Sequence, residues 1–381
     1  MRSLLPGLLL AALFQIQLRA APRLPETIVK VGIVQNAASA NISCEGNYYI
    51  YEMGGGEQQR ILPLNDYLIK ASGQKIVING KEYTSPARVV SQEDKASIRI
   101  NGRRYRDNVM LRAANGKITV INELGIEDYL RGVLPMEIDK GWPAESLKVQ
   151  AVISRTYLLR NMRKHEKDGF DLCSTVHCQV YGGMEPETEA TNKAVEDTRG
   201  EVLVYDGKLA EALFFAQCGG HTEDPKYVWK WEAATPEYLK GRKCAFCKDC
   251  PHQNWKTRVK AETIRARLEK AGFNVGQIKK ISTSGKTPSG RALNIIVKSS
   301  SGKLEIPSGK FRMAISPDVV RSTMISDIVR YGDEFEFRGH GWGHGIGLCQ
   351  WGCKVMGDKN YGYKEILHYY YPGATAEKWE E

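Results

Sequence analysis

Three Asn-Gly dipeptides, Asn79-Gly80, Asn101-Gly102 and Asn115-Gly116, lie within less than forty residues of one another and limit what the first third of the chain can become. Both residues of such a pair accept the positive φ angles of a type I′ turn, which joins two antiparallel strands with no spare chain. The flanking runs 28–34, 48–51, 75–78, 96–100 and 117–121 are short and rich in β-branched or aromatic residues. Residues 27–121 therefore read as a β-rich domain built from hairpins. The string Ile78-Asn79-Gly80-Lys81-Glu82-Tyr83 is echoed by Ile100-Asn101-Gly102-Arg103-Arg104-Tyr105, either as two related hairpins or as a coincidence of turn chemistry. Two copies do not make a solenoid.

Past Asn122 the pattern changes. Pro143 suits a first helical turn and Glu145 adds a favourable negative charge there. Leu147, Ala151, Leu158 and Met162 recur at helical spacing to about Lys164. Arg155 falls on the same stripe, and a guanidinium there needs a carboxylate partner or an opening to a cleft. Further helices are expected over 187–198 and 260–271, with strands over 201–205 and 293–297. The fold class is thus α+β, an N-terminal β-rich domain packed on a mixed α/β core over 122–373.

Composition bounds the rest. With 381 residues, 42% of them hydrophobic, the chain can bury one large core or two modest ones. The net charge of +10 favours polyanions, but no basic block stands out among the 44 acidic residues. A mixed solvated surface is the preferred reading, and nucleic acid is not expected as a partner. Residues 1–21 have the form of an export signal: Met1-Arg2-Ser3, an apolar run over 4–14, and Arg19-Ala20-Ala21 before Pro22. An exported protein of the cell envelope is expected, and no later stretch is apolar enough to cross a bilayer.

Nine cysteines leave at least one without a cysteine partner in this chain, and they cluster. Cys173 lies near Cys178, Cys349 near Cys353, and Cys244, Cys247 and Cys250 form a tight group in a Cys-rich insertion near 244–252. Such clustering points to metal ligation more than to a lattice of disulfides. For the 244–252 group a second zinc at Cys244, Cys247 and Cys250, half of an iron–sulfur pattern, and a disulfide-locked loop all stand. The missing fourth cysteine at short range weighs against iron–sulfur.

Three strings carry more polar, aromatic and glycine residues than packing demands: 129–137, 218–223 and 339–347. Five glycines in the last nine residues break any helix, so His340 and His344 are not read as a helical metal pair. Glycine lets backbone amides reach a ligand, Trp342 offers a flat apolar face, and His221, His340 and His344 supply donors. Sugar rings, with C–H faces and hydroxyl edges, suit that mixture.

At these residues the chain resembles the stage II sporulation protein D family, which includes the amidase-enhancer proteins. The resemblance covers about 126–373. It rests on Glu127-Asp128-Tyr129-Leu130-Arg131-Gly132-Val133 with Pro135-Met136-Glu137, on 147–152 leading to Arg155-Thr156-Tyr157, on His177-Cys178-Gln179-Val180-Tyr181, on Gly219-Gly220-His221-Thr222-Glu223, and on Gly341-Trp342-Gly343-His344-Gly345. It implies a peptidoglycan lytic transglycosylase whose single acid is Glu137, with Arg155 orienting that acid or binding an acidic group of the sugar. Glycan strands are the implied substrate, bound by His221, His340, Trp342, His344 and Gln350. The enhancer branch implies a non-catalytic glycan-binding module with a wall amidase as partner. The resemblance also implies zinc at Cys173 and Cys178, with His165 or His177 as third ligand and water or substrate in a fourth position. Cys218, Cys349 and Cys353 stand where the family carries small residues, and Trp351 where it carries Tyr; the three thiols read as small buried side chains. A redox or metal-storage protein would explain the cysteines but neither the glycine loops nor the aromatics.

Overall fold

The computed structural model describes residues 27–53, 59–61, 66–91, 93, 96–229 and 234–379; the expected export signal at 1–21 lies outside them. The protein is of mixed α+β type, with seven α-helices among the described residues.

All three Asn-Gly pairs are turns with positive φ, at 49° and 80° for Asn79-Gly80, 51° and 81° for Asn101-Gly102, and 50° and 69° for Asn115-Gly116. The two echoing strings are indeed two hairpins, Lys75–Ile78 with Lys81–Thr84 and Ser97–Ile100 with Arg103–Arg106. They form opposite edges of one six-stranded sheet, whose centre is Ser39–Glu45 and Tyr67–Ser72. The third hairpin, Asn108–Ala114 with Lys117–Gly125, lies in a seven-stranded sheet that also holds Ile28–Ala37 and the short parallel strand Leu172–Cys173. Alternate residues such as Ile42, Ile69, Val89, Ile98 and Leu111 point into one core.

That core continues into the helices. Helix α1, Ile126–Glu137, follows the strand Lys117–Gly125 without a loop, and α2 is Ala144–Arg160. Tyr129, Leu130, Val133, Leu134, Leu147, Ala151 and Leu158 pack with the strand residues. Val149, Val152 and Ile153 of α2 face a second core. Two apolar faces on one helix explain why its periodic stripe is smeared in the sequence. Helix α3, Glu189–Asp197, has a capping box in which Thr188 and Thr191 satisfy each other's backbone amides.

Residues 255–339 build a further body with its own core, centred on Trp255, Ile264, Val297, Phe311 and Phe337. It contains α4, Ala261–Lys270, and α5, Ser308–Ile315, with two three-stranded antiparallel sheets. The chain then returns to the second core through the parallel pair Phe214–Phe215 and Leu348–Cys349, α6, Gln350–Asp358, and α7, Tyr363–Tyr370. Among the described residues no helix is long and apolar enough to cross a membrane.

Candidate functional site

Glu137 is the last residue of α1, and no basic residue stands in that helix's final turn. The carboxyl group therefore faces the negative end of the helix dipole, which disfavours its ionised form. It is half-buried, and burial raises its pKa above the ordinary carboxylate value, against a smaller opposing effect of the Val180 amide. That amide donates to Glu137 Oε1 at 3.0 Å. Glu137 is thus a helix-exit carboxyl with one oxygen held by the backbone.

The segment that supplies Val180 is itself tied down. Tyr181 N donates to Ser174 O, and Gly182 N donates to Gly132 O. A Cβ at Gly132 would lie 2.5 Å from Tyr181 Cε2, so only glycine lets α1 approach this closely. Just before Val180, His165, Cys173, His177 and Cys178 bring four ligand atoms within 4.8 Å of one another. His165 Nε2 lies 3.2 Å from His177 Nδ1 and 3.5 Å from Cys178 Sγ; His177 Nδ1 lies 3.7 Å from Cys173 Sγ and 3.6 Å from Cys178 Sγ. Tetrahedral zinc, with Zn–S of about 2.3 Å and Zn–N of about 2.0–2.1 Å, requires ligand-to-ligand edges of roughly 3.3–3.8 Å, so the donors fit such an ion. His165 Nδ1 meets Asp168 Oδ2 at 3.0 Å, the carboxylate support that metal-bound imidazoles usually have. Both histidines belong to the group. The fourth position, expected for water or substrate, has a protein ligand atom offered to it.

Arg155 is elsewhere. It is 1% exposed and gives a bidentate pair to Glu127, Nε to Oε1 at 3.0 Å and Nη2 to Oε2 at 2.6 Å. Arg155 Nη1 also donates to Glu201 O, and Glu127 Oε1 accepts from Gly200 N. The guanidinium is fully engaged in joining α1, α2 and the strand Glu201–Tyr205. Its expected roles beside Glu137 or on the sugar are therefore withdrawn, because no donor of this group faces Glu137 or a cleft.

Gln350 does reach Glu137. Its Nε2 donates to the Glu137 carbonyl at 2.8 Å and to Gln150 Oε1 at 3.2 Å. From Trp351 a row of half-buried rings runs outward: Trp142 at 5.1 Å from Trp351, His252 at 6.2 Å from Trp351, and Trp342 at 4.7 Å from His252. Arg321 lies over Trp342, 5.1 Å from its ring centre. Burial, and after it the Arg321 charge, lowers the pKa of His252 and so disfavours the imidazolium. Trp142 and His252 were not singled out in the sequence as members of such a row, and Trp351 only as a departure from the family's Tyr; the abundance of aromatics around the glycine string was the one hint.

The glycine string 339–347 does not serve a ligand in the way expected. A Cβ at Gly341 would meet Gln217 O at 2.5 Å, one at Gly343 would meet Phe215 Cβ at 2.7 Å, and one at Gly345 would meet Arg291 Cζ at 2.7 Å. The close approach is to the protein's own chain at 213–218 and to Arg291. His344 is turned inward: its Nε2 donates to Phe214 O at 2.9 Å, and its Nδ1 accepts from Ile346 N at 3.1 Å. Burial pushes its pKa down to about 4, so the ring is neutral with neither nitrogen free for a substrate. The expected donor role of His344 is accordingly corrected to a loop brace. His221 and His340 each use Nδ1 on a backbone carbonyl, of Thr222 and Gln253 respectively. Among the described residues neither forms a hydrogen bond with Glu137.

Cys218 and Cys349 are not isolated packing thiols. They converge with Cys244 and Cys247, whereas Cys250 stays out of the group, its sulfur 4.0 Å from Trp351 O. The expected three-cysteine set at Cys244, Cys247 and Cys250 is thereby corrected: the first two stay, and two sequence-distant residues join them. Cys353 remains a buried thiol.

The stage II sporulation protein family model matches residues 114–205, the stretch that contains α1, α2, Glu137 and the histidine–cysteine group. An uncharacterized protein of Brachyspira hyodysenteriae is 32% identical over 91% of this chain and 92% of its own length. The amidase enhancer of Bacillus subtilis is 31% identical over 65% of this chain, a span that is 40% of the enhancer. The chain belongs to the stage II sporulation protein D family. Stage II sporulation protein D of Bacillus subtilis itself is 26% identical over 68% of this chain and 76% of its own. A domain of unknown function matches residues 230–347, which include the separate body 255–339.

Proposed function

We propose that this family member is an exported lytic transglycosylase of the cell envelope that cleaves peptidoglycan glycan strands at the bond between N-acetylmuramic acid and N-acetylglucosamine, with Glu137 as its one acid and base. The observation that carries this is the half-buried Glu137 carboxyl with a raised pKa, whose backbone carbonyl is held by Gln350, the residue before Trp351 of the ring row. Sugar C–H faces stack on such rings, and a neutral carboxyl is what the first half of the reaction requires.

Glu137 gives its proton to the bridging oxygen as the bond from muramyl C1 breaks. The resulting carboxylate then takes the proton of the muramyl C6 hydroxyl while O6 closes on C1. The products are a 1,6-anhydromuramyl end and a free hydroxyl on the leaving sugar, and no water is consumed. A second carboxylate, needed in ordinary glycoside hydrolysis, has no part. The Val180 amide steadies the carboxylate in the second half, and the Gln350 amide fixes the backbone that bears it. Arg321 is the donor offered to sugar hydroxyls or a muramyl carboxylate along the row, and His340 Nε2, with Nδ1 donating to Gln253 O, is an acceptor for a sugar hydroxyl. Zinc in the histidine–cysteine group holds the turn that ends at Val180 and supplies rigidity.

The test is incubation with glycan strands stripped of peptide, followed by mass spectrometry, with Glu137→Gln alongside. Anhydromuramyl ends from wild type alone support the enzyme. Intact strands that are nevertheless bound tightly support the second reading, which the similarity to an amidase enhancer favours: a glycan-holding module that activates a wall amidase.

A further inference from the structure

The sulfur atoms of Cys218, Cys244, Cys247 and Cys349 all lie within 4.8 Å of one another, and each residue is buried. Three remote stretches deliver them. Cys218 precedes the Gly219-Gly220 turn, Cys244 and Cys247 form one Cys-x2-Cys turn, and Cys349 caps the start of α6. The spacing is 3.0 Å from Cys218 Sγ to Cys247 Sγ and 4.0 Å from Cys244 Sγ to Cys247 Sγ. Buried thiols serving as small apolar side chains have no reason to point at one another.

Backbone donors also point at the sulfurs. Cys218 N donates to Cys349 Sγ at 3.3 Å, Gly220 N to Cys218 Sγ at 3.3 Å, and Gly352 N to Cys349 Sγ at 3.4 Å. Sulfur is a weak acceptor as a thiol and a good one as a thiolate, so three such amides suit anionic ligands. Next to them stands Arg291, 1% exposed, which forms no ion pair among the described residues. Its Nη2 donates to Cys218 O and its Nη1 to His221 O, both at 2.8 Å. A buried guanidinium needs a negative charge nearby, and Glu223 is the foremost group acting on it through space, with Cys218, Cys349 and Cys247 after it.

We propose that Cys218, Cys244, Cys247 and Cys349 hold one zinc ion as a tetrahedral four-thiolate site, distinct from the histidine-bearing group, that clamps the Cys218 loop to the start of α6. A single ion with Zn–S of about 2.3 Å calls for sulfur-to-sulfur edges of roughly 3.8 Å. A four-iron cluster binds each cysteine to a different iron, spreading the sulfurs well beyond the observed spacing. Four thiolates and Zn²⁺ leave two negative charges, which Arg291 and the three amides offset. The clamp also orients Gln350, the residue after Cys349, towards the Glu137 carbonyl. That consequence for cleavage rests on the proposed reaction; the metal content does not.

Metal analysis of the purified full chain is the test. About two zinc ions per wild-type chain are expected, about one in Cys173→Ser/Cys178→Ser, and about one in Cys244→Ser/Cys247→Ser. Cys250→Ser should keep both. Because the four-thiol variants can misfold, cobalt(II) loading of Cys173→Ser/Cys178→Ser provides an independent readout: only the four-thiol site remains, and its visible spectrum must be that of a tetrahedral four-thiolate ion. No zinc in Cys173→Ser/Cys178→Ser, iron in place of zinc, loss of a zinc in Cys250→Ser, or an intact mass showing these four cysteines as disulfides would each overturn the proposal. Failure of glycan cleavage with both zinc ions present would count against the reaction alone.

Discussion

Glu137 combines two influences that act in the same direction, burial and the negative end of α1, and one that opposes them, the Val180 amide. Its folded pKa is raised, so between the unfolded and folded values the native state binds the extra proton and stability falls as pH rises through that window. Glu137→Gln keeps an oxygen for the Val180 amide and removes the ionisation. It is expected to abolish anhydromuramyl products while leaving the protein as stable as wild type or slightly more so at neutral pH, as thermal melts on both proteins at several pH values would show. For the same reason cleavage should lose rate as pH rises through the folded pKa of Glu137, later than an exposed glutamate would dictate; a pH–rate profile with its falling limb at the ordinary carboxylate value would contradict this. Along the ring row, Trp351→Ala is expected to raise KM for glycan about tenfold, a loss of about 1.4 kcal/mol, with a smaller effect on kcat. Had the residue only a packing role, KM would stay and melting temperature alone would drop.

At the scale of elements, the junction of α1, α2 and the strand Glu201–Tyr205 depends on the Arg155–Glu127 pair, both members buried. Removing one partner leaves an uncompensated charge, so Arg155→Ala should cost about 3–5 kcal/mol in denaturant unfolding. Arg155→Met with Glu127→Leu should recover much of that loss, an outcome at odds with any direct part of Arg155 in chemistry if cleavage returns with it. The turn from Cys173 to Val180 depends instead on its metal group. Cys178→Ser is expected to lose that ion and to lower kcat severalfold while circular dichroism stays close to wild type, since most residues of the core shared by the sheets and α1 lie outside the group. Unchanged cleavage in the metal-free variant would show that the turn holds Val180 without help.

For the whole molecule, what could be read in advance was local. The Asn-Gly pairs specify their turns through backbone angles, so three hairpins were legible, as were α2, α3 and α4 from apolar spacing and capping residues. Helix α1 was not anticipated, because its apolar residues serve a core shared with the strands and it follows Lys117–Gly125 without a break. The body at 255–339, with its own core, was reduced in the sequence to one helix and one strand, because its short strands alternate with polar residues on both sides of turns. The glycines of 339–347 announced a close approach; only the packed chain shows that they approach the segment 213–218 and Arg291.

Turn chemistry and helix signals depend on residues within a few positions of one another, and such information is written along the chain; Glu137 and the His165–Cys178 group were singled out by short motifs that resemble those of the family. Which carboxylate meets Arg155, which way His344 faces, and which cysteines join Cys244 and Cys247 were decided by the tertiary structure. Those partners are separated by up to 131 positions, as Cys218 and Cys349 are, and they meet because independently packed cores bring their elements together. Spacing in sequence carries no record of a distance that only packing sets.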